Sequence, residues 1–179
     1  MGWEFEEMLK ITGVILCIAG SIGYGMMKIT GWNRTVKELE EWILLFENMK
    51  SHISYRRDII AEVFCRMEED IYGIGGKYMA AVGRELLNDR SISLIQAWRE
   101  QMPAWKKMSM LSVEVKNCIL SFPEYIGEQE CEQQIQRLDF FLHKLYVEKE
   151  KMEKELMTKK KPVMAISMAG GITISVLLL

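Results

Sequence analysis

Apolar residues are arranged along the chain as two long runs near its ends and as spaced stripes between them. Residues 11–27 and residues 162–179 contain no Asp, Glu, Lys, Arg or His. A membrane-spanning helix needs about 20 mainly apolar residues at a rise of 1.5 Å each. Both runs are slightly short for a hydrocarbon core of about 30 Å, a mismatch that flanking lysines absorb by extending towards the interface. The pattern predicts a transmembrane helix at each end.

The first run has two rival interpretations. A signal peptide requires a basic start and a cleavage site with small residues, whereas residues 4–7 include three glutamates. A lipoprotein signal requires small residues before Cys17, but Ile15 and Leu16 are bulky. A retained span is therefore favoured over a cleaved one.

Basic residues beside the two runs predict the orientation. Lys28, Arg34 and Lys37 follow the first run, and residues 159–161, all lysine, precede the second. Because Lys and Arg concentrate on the cytoplasmic side of membrane helices, the middle segment should be cytoplasmic. The predicted organisation is a short tail and first span in residues 1–29, a cytoplasmic bundle in 30–161 and a second span in 162–179.

Small residues recur in both runs, several of them four positions apart. This spacing either lets two helices pack closely in lipid or reflects the ordinary tolerance of spans for glycine and serine. The candidates for helix packing are Ala19, Gly23, Ser167, Gly170, Gly171 and Ser175.

The middle segment shows helical periodicity throughout, and no part of it has the alternation of a strand. A first stripe follows a three-four spacing, and Thr35 with Glu38 predicts a capping box at its start. The residues of the stripe are Leu39, Trp42, Phe46, Met49 and Ile53.

Five further helices are predicted after the first. The second begins at Asp58 and reaches Met67, and the glycines of 73–76 interrupt the chain. The third covers 77–87, and Ser91 or Ser93 caps the fourth.

The fifth helix is predicted to begin at Pro103 and to end at about 122, just before Pro123. The sixth carries heptad-spaced apolar residues from 135 to 156 and leads into the second run, with an interruption near Pro162. Its stripe is buried either in the bundle or against another copy of the chain. The expected fold class is all-α: an antiparallel cytoplasmic bundle of about six helices flanked by N- and C-terminal transmembrane helices.

Composition gives little support to an enzyme or a metal protein. The net charge of −2 argues against nucleic acid as a partner, and four cysteines without a CxxC pair are expected to be reduced thiols. His52 and His143 have no ligands at metal spacing. Glutamates at 128, 130 and 132 could serve acid–base chemistry or form a solvated surface. No catalytic residue, metal ligand or cofactor is expected.

One polar cluster is a candidate for partner binding. Tyr55, Arg56 and Arg57 lie at the turn between the first two predicted helices of the bundle. Adjacent arginines can bind an acidic protein or phosphate-bearing lipid headgroups. The alternative is a solvated turn in which Asp58 caps the next helix.

Several short motifs, in their order and spacing, resemble the stage III sporulation protein AB family of spore-forming Firmicutes. Residues 8–10 (Met-Leu-Lys) resemble its usual start, 52–55 (His-Ile-Ser-Tyr) its Glu-Ile-x-Tyr, and 97–98 its Ala-Trp. Phe122 and the Ile-Gly-x-x-Glu-x-x-x-Gln of 126–134 resemble the family's Phe…Leu-Gly-x-x-Asp-x-x-x-Gln. Gly170-Gly171 precede an apolar tail similar to that of the family. The chain departs from the family where Asp-Ile-Ile at 58–60 stands in place of Thr-Pro-Leu.

The resemblance implies a fold like the cytoplasmic helical domain of the type II secretion F protein, an inner-membrane platform. It implies a part in the mother-cell-to-forespore channel, on the mother-cell side of the engulfing membrane. The expected partners are the stage III AA ATPase, other channel membrane proteins, membrane lipid and a second copy of the chain. The chain would then be a non-enzymatic adaptor. The alternatives are a membrane-tethered scaffold unrelated to sporulation and a small membrane enzyme using the carboxylates of 128–132.

Overall fold

The computed structural model describes residues 2–56, 60–70, 73–89, 91–126 and 131–178. These residues form six α-helices and one 3₁₀ turn, with no strand in the described ranges, which confirms the all-α prediction there. The helices are α1 (Gly2–Arg56), α2 (Ile60–Asp70), α3 (Ile74–Asn88), α4 (Leu94–Met108), α5 (Val113–Leu120) and α6 (Cys131–Leu178), with the 3₁₀ turn at Phe122–Tyr125.

The chain divides into two compact units. Met1–Arg34 with Met152–Leu179 form the terminal unit, and Thr35–Lys151 form the bundle unit. α1 and α6 each contribute residues to both.

The predicted capping box at Thr35 is wrong because α1 continues through this position. A cap satisfies the free N–H groups of a first helical turn. At Thr35 the preceding turn of α1 already provides carbonyl partners for these groups. Glu38 has a different role: it is buried, and its Oε2 accepts a hydrogen bond of 2.8 Å from the backbone N–H of Met110.

The predicted stripe of α1 forms the centre of the bundle core. Trp42, Phe46 and Met49 are fully buried. The ring centroid of Trp42 lies 5.2 Å from that of Trp105 and 5.8 Å from that of Tyr78. Aromatic pairs at such distances contribute about 0.5–1.5 kcal/mol beyond burial alone. The helical periodicity of this stripe is confirmed.

The predicted glycine interruption is confirmed at Gly73, which lies outside the helices as the N-cap of α3, but the following glycines do not break the chain. α3 begins at Ile74, so Gly75 and Gly76 are buried helical residues. A Cβ at Gly75 would lie 2.8 Å from Cδ1 of Leu45 and 3.0 Å from Cε2 of Trp42. Glycine therefore lets α3 pack closely on α1, and this packing offsets its low helix propensity.

Pro103 lies inside α4 rather than at the start of a helix. A proline in a helix interior costs about 3 kcal/mol or more. Trp98 and Trp105, on either side of it, are both buried, and their burial keeps α4 docked across the proline. The next helix begins instead at Val113, where the Oγ of Ser112 accepts a hydrogen bond of 3.3 Å from the N–H of Val115.

Two predicted boundaries in this region are confirmed. Ser93 is the N-cap of α4, and its Oγ accepts a hydrogen bond of 3.2 Å from the N–H of Gln96. Pro123 lies in the 3₁₀ turn that follows α5. The predicted cap of the second helix, Asp58, lies outside the described residues.

α6 continues through Pro162 without the predicted interruption. Proline removes one helical hydrogen bond, and its ring crowds the carbonyl four residues earlier. Pro162 is exposed, so the helix can adjust at this point without disturbing a packed interior. In the bundle unit, α6 buries Leu138, Phe141 and Leu145.

In the described part of the chain, one helical segment, Ile11–Ile53, is long and apolar enough to contain a membrane span. Length and composition alone support this assignment, and a signal sequence near an N-terminus satisfies the same criteria. The first predicted span lies within this segment. Residues 162–178 of the second predicted span are helical as the end of α6, and its place in a membrane stays a prediction.

Candidate protein-docking surface

Polar contacts between α1 and α6 fix the register of these two helices in the bundle unit. Lys50 forms an ion pair with Asp139, and the Tyr146 hydroxyl donates a hydrogen bond to Glu47. Further along, Lys149 Nζ lies 2.8 Å from Oε1 of Glu40. Because residue numbers rise on α1 as they fall on α6, the helices are antiparallel.

The Lys50–Asp139 and Tyr146–Glu47 contacts line a groove of about 500 Å³, together with Leu142, His143 and Ser51. The hydrogen bond to Glu47, with partial burial, raises the pKa of Tyr146, so its hydroxyl stays protonated beyond its usual range. Because the charged walls of the groove pair with one another, it offers a ligand few free polar groups. Exposed pairs of this kind contribute about 0–1 kcal/mol each and serve mainly to align the helices.

A second surface combines two aromatic rings with a lysine. Lys144 Nζ donates a hydrogen bond of 2.8 Å to the hydroxyl of Tyr125. The same ammonium lies 4.7 Å from the ring centroid of Phe140 and 5.3 Å from that of Tyr125. The Tyr125 hydrogen bond raises the pKa of Lys144. This aromatic–lysine patch (Tyr125, Phe140, Lys144) places a cation beside two aromatic rings.

The aromatic–lysine patch borders a groove and is itself accessible. Phe140 is 57% exposed, and the groove beside it has a volume of about 440 Å³, with Gln133, Gln136 and Arg137 among its lining residues. Sequence reasoning missed this patch. Phe140 and Lys144 are four residues apart on one helix and could have been found together, but nothing local indicates Tyr125.

The predicted arginine cluster begins near the Lys50–Asp139 pair. Tyr55 and Arg56 are the last two residues of α1, about 8 Å along the helix axis from Lys50 at 1.5 Å per residue. Arg57 lies outside the described residues. Partner binding by this cluster stays a prediction.

In the terminal unit, small residues lie where α1 approaches α6. A Cβ at Gly25 would lie 2.8 Å from Oγ of Ser167, and one at Gly171 would lie 3.1 Å from Cβ of Ser21. Ser175 is buried, and its hydroxyl donates a hydrogen bond of 2.7 Å to the carbonyl of Gly171. Three of the predicted packing residues of α6, namely Ser167, Gly171 and Ser175, therefore lie in or beside this contact.

The other three predicted packing residues lie elsewhere. Ala19 is exposed, and a Cβ at Gly23 or Gly170 would meet no atom within 4 Å. On α1, Ser21 and Gly25 are each two residues, or about 200° of helix rotation, from the predicted pair. Both pairs have the spacing that permits close packing, so the sequence does not distinguish them.

The described residues contain no arrangement that indicates catalysis or metal binding. Among them, no three His, Cys, Asp or Glu side chains are grouped to hold a metal ion. Glu128 and Glu130 lie outside the described residues, and Glu132 is exposed in the first turn of α6. Cys65 and Cys118 are free thiols, and burial raises the pKa of both.

Comparisons with known proteins agree with this fold. Among solved structures, a chain described as "Stage III sporulation protein AB (SpoIIIAB)" is similar, with a TM-score of 0.62 and 13% sequence identity. The match covers 69% of this chain and 97% of that chain, and at this identity it shows the fold alone. A search of curated proteins finds no match. The family model for stage III sporulation protein AB matches residues 10–179. Because that match spans nearly the whole sequence, the chain belongs to the stage III sporulation protein AB family.

Proposed function

We propose that this chain is a non-enzymatic membrane platform of the mother-cell-to-forespore channel, and that its bundle unit docks a cytosolic secretion-type ATPase. The family gives the chain a role in sporulation, which is favoured over a scaffold outside sporulation. One observation supports the platform: α1 is a single helix that contains both the candidate membrane segment and the central stripe of the bundle core. A partner docked on the bundle would thus be tethered to the membrane by the same helix.

The interior of the bundle supports an adaptor over an enzyme. Large aromatic side chains fill it, including Trp42, Trp98 and Phe122. A ligand site is usually a concave apolar pocket with a few convergent polar groups. The two grooves described above are instead open to solvent and lie on the outer surface, where a protein partner would bind.

The proposed location is the mother-cell side of the engulfing membrane, with the bundle in the cytoplasm. Lys28, Arg34 and Lys37 after the first apolar run support this orientation. If Cys65 or Cys118 in intact cells reacted with a membrane-impermeant thiol reagent, the orientation would be wrong. Permeabilised cells provide the control for reactivity.

Binding of the cognate stage III AA ATPase to the full chain tests the docking function. The chain would be reconstituted in lipid nanodiscs and titrated with the ATPase by calorimetry, and we expect saturable binding. A chain in which both Arg56 and Arg57 are changed to glutamate tests the predicted cluster, with circular dichroism as the control for folding. No binding by well-folded wild-type chain would contradict the proposed function.

The remaining enzymatic alternative has a genetic test. We expect a strain carrying Glu128→Gln with Glu130→Gln to sporulate normally, provided that the protein accumulates to its usual level. A severe sporulation defect at normal abundance would instead favour a chemical role for these carboxylates.

A further inference from the structure

α6 carries a second heptad-spaced stripe that faces away from the bundle core. Its positions follow the three-four spacing of a helix-packing face, and all five side chains are exposed. At 1.5 Å per residue the stripe is about 21 Å long, or four helical turns. The outward stripe consists of Arg137, Phe140, Lys144, Val147 and Lys151.

Most of the packing of α6 in the bundle unit uses its other faces, although Lys144 of the stripe contacts Tyr125. The core side of α6 is formed by Leu138, Phe141 and Leu145, and the side towards α1 carries Asp139 and Tyr146. Yet Phe140 and Val147 on the outward stripe are 57% and 49% exposed. These two apolar side chains lie seven residues apart between cations on one helix face, so the face offers a partner helix both apolar and charged contacts.

All three charged residues of the outward stripe, Arg137, Lys144 and Lys151, are basic. Lys144 is held over the rings of Phe140 and Tyr125, so little side-chain freedom is lost when it binds a carboxylate. Lys151 makes a long ion pair of 3.9 Å with Glu148. Acidic residues border the stripe: Glu124 lines the groove beside Phe140 together with Arg137, and Glu114 is exposed on α5.

We propose that the outward stripe binds an acidic amphipathic helix of the cytosolic partner. Apolar side chains of that helix would pack on Phe140 and Val147, and its carboxylates would pair with Arg137, Lys144 and Lys151. The groove of about 440 Å³ beside Phe140 provides space for one side chain. This inference rests on the proposed docking function and adds the surface and the chemistry of the bound segment.

A synthetic helical peptide tests the chemistry directly. The probe is a fluorescent 18-residue peptide with leucine at the a and d positions and glutamate at e and g, and its control has lysine in place of glutamate. Both are titrated by fluorescence anisotropy against the full chain in nanodiscs of zwitterionic lipid. We expect saturable binding of the acidic peptide, at least tenfold weaker binding of the basic one, and weakening with added salt.

Substitutions on and off the stripe locate the binding surface. Phe140→Ser and Lys144→Glu should each weaken binding of the acidic peptide at least tenfold. Leu44→Ser on α1 and Lys107→Glu on α4 are the matched controls, since both residues are exposed and lie off the stripe; these should change binding less than twofold. Equal affinity for the two peptides, or equal losses in the control variants, would overturn the proposal.

Two further measurements separate this inference from the docking function. If the ATPase binds wild-type chain and the Phe140→Ser and Lys144→Glu variants equally, the stripe assignment is wrong although the docking function stands. If the acidic peptide binds the stripe but the ATPase does not bind at all, the docking function is the part that fails. Sedimentation that shows a dimer dissociated by Phe140→Ser would assign the stripe to a second copy and overturn the proposal.

Discussion

Gly83 lies where α3 approaches α2, and we expect its replacement by alanine to destabilise the bundle unit. A Cβ at this position would lie 2.8 Å from the carbonyl oxygen of Ala61 and 2.8 Å from the backbone nitrogen of Cys65. The Sγ of Cys65 would lie at 2.9 Å. All three distances are shorter than carbon contacts allow, and two involve backbone that cannot rotate away.

The expected magnitude follows from two opposing effects. Alanine is favoured over glycine in a helix interior by about 1 kcal/mol. Overpacking costs about 1–3 kcal/mol, and the upper value applies because α2 and α3 must separate. Gly83→Ala should therefore lower the free energy of unfolding by about 2 kcal/mol, equivalent to a fall in Tm of roughly 5–10 °C for a unit of this size.

Urea unfolding of the full chain in detergent, followed by tryptophan fluorescence, measures this change. The signal reports on the bundle because Trp42, Trp98 and Trp105 are buried in its core. Gly31→Ala is the control, since its Cβ would meet no atom within 4 Å and it should not lower the midpoint. If Gly83→Ala raised the midpoint, or if adding Cys65→Ala restored it fully, the backbone contact would not be the cause.

Three other substitutions test single interactions of the bundle by the same unfolding assay. Glu38→Ala removes the carboxylate that holds the N–H of Met110 and should cost about 1.5–3 kcal/mol, whereas unchanged stability would show that water replaces this bond. Tyr78 is buried, and burial raises the pKa of its hydroxyl; because the unfolded chain then loses this proton first, stability should fall as the pH rises above about 10. Tyr78→Phe should reduce that fall, and an unchanged pH profile would assign it to other groups. Ser93→Ala removes the N-cap of α4 and should lower the free energy of unfolding by about 1 kcal/mol. Ser93→Asp should largely keep the wild-type stability, because aspartate also caps a helix.

Local features of the sequence predicted the helices and the core of the bundle. The three-four spacing of Leu39, Trp42 and Phe46 identified a buried face because a helix repeats every 3.6 residues, and all three are fully buried. Ser91 and Ser93 located the start of α4 to within two residues, because a cap acts on N–H groups only two or three residues away, and the structure selects Ser93. The apolar run of residues 11–27 likewise indicated a candidate membrane span from length and composition.

Tertiary packing decided where several helices begin and which faces meet. The signals at Gly75 and Pro103 correspond to about 1–3 kcal/mol each, less than the burial of Trp42, Trp98 and Trp105 beside them contributes, so α3 and α4 extend past the predicted boundaries. The position of Lys144 over Tyr125 is equally beyond local reasoning, because these residues are 19 positions apart and on different elements. Periodicity within one helix thus determined which of its residues are buried. Only contacts between helices determined which residues of other elements lie against its exposed side chains.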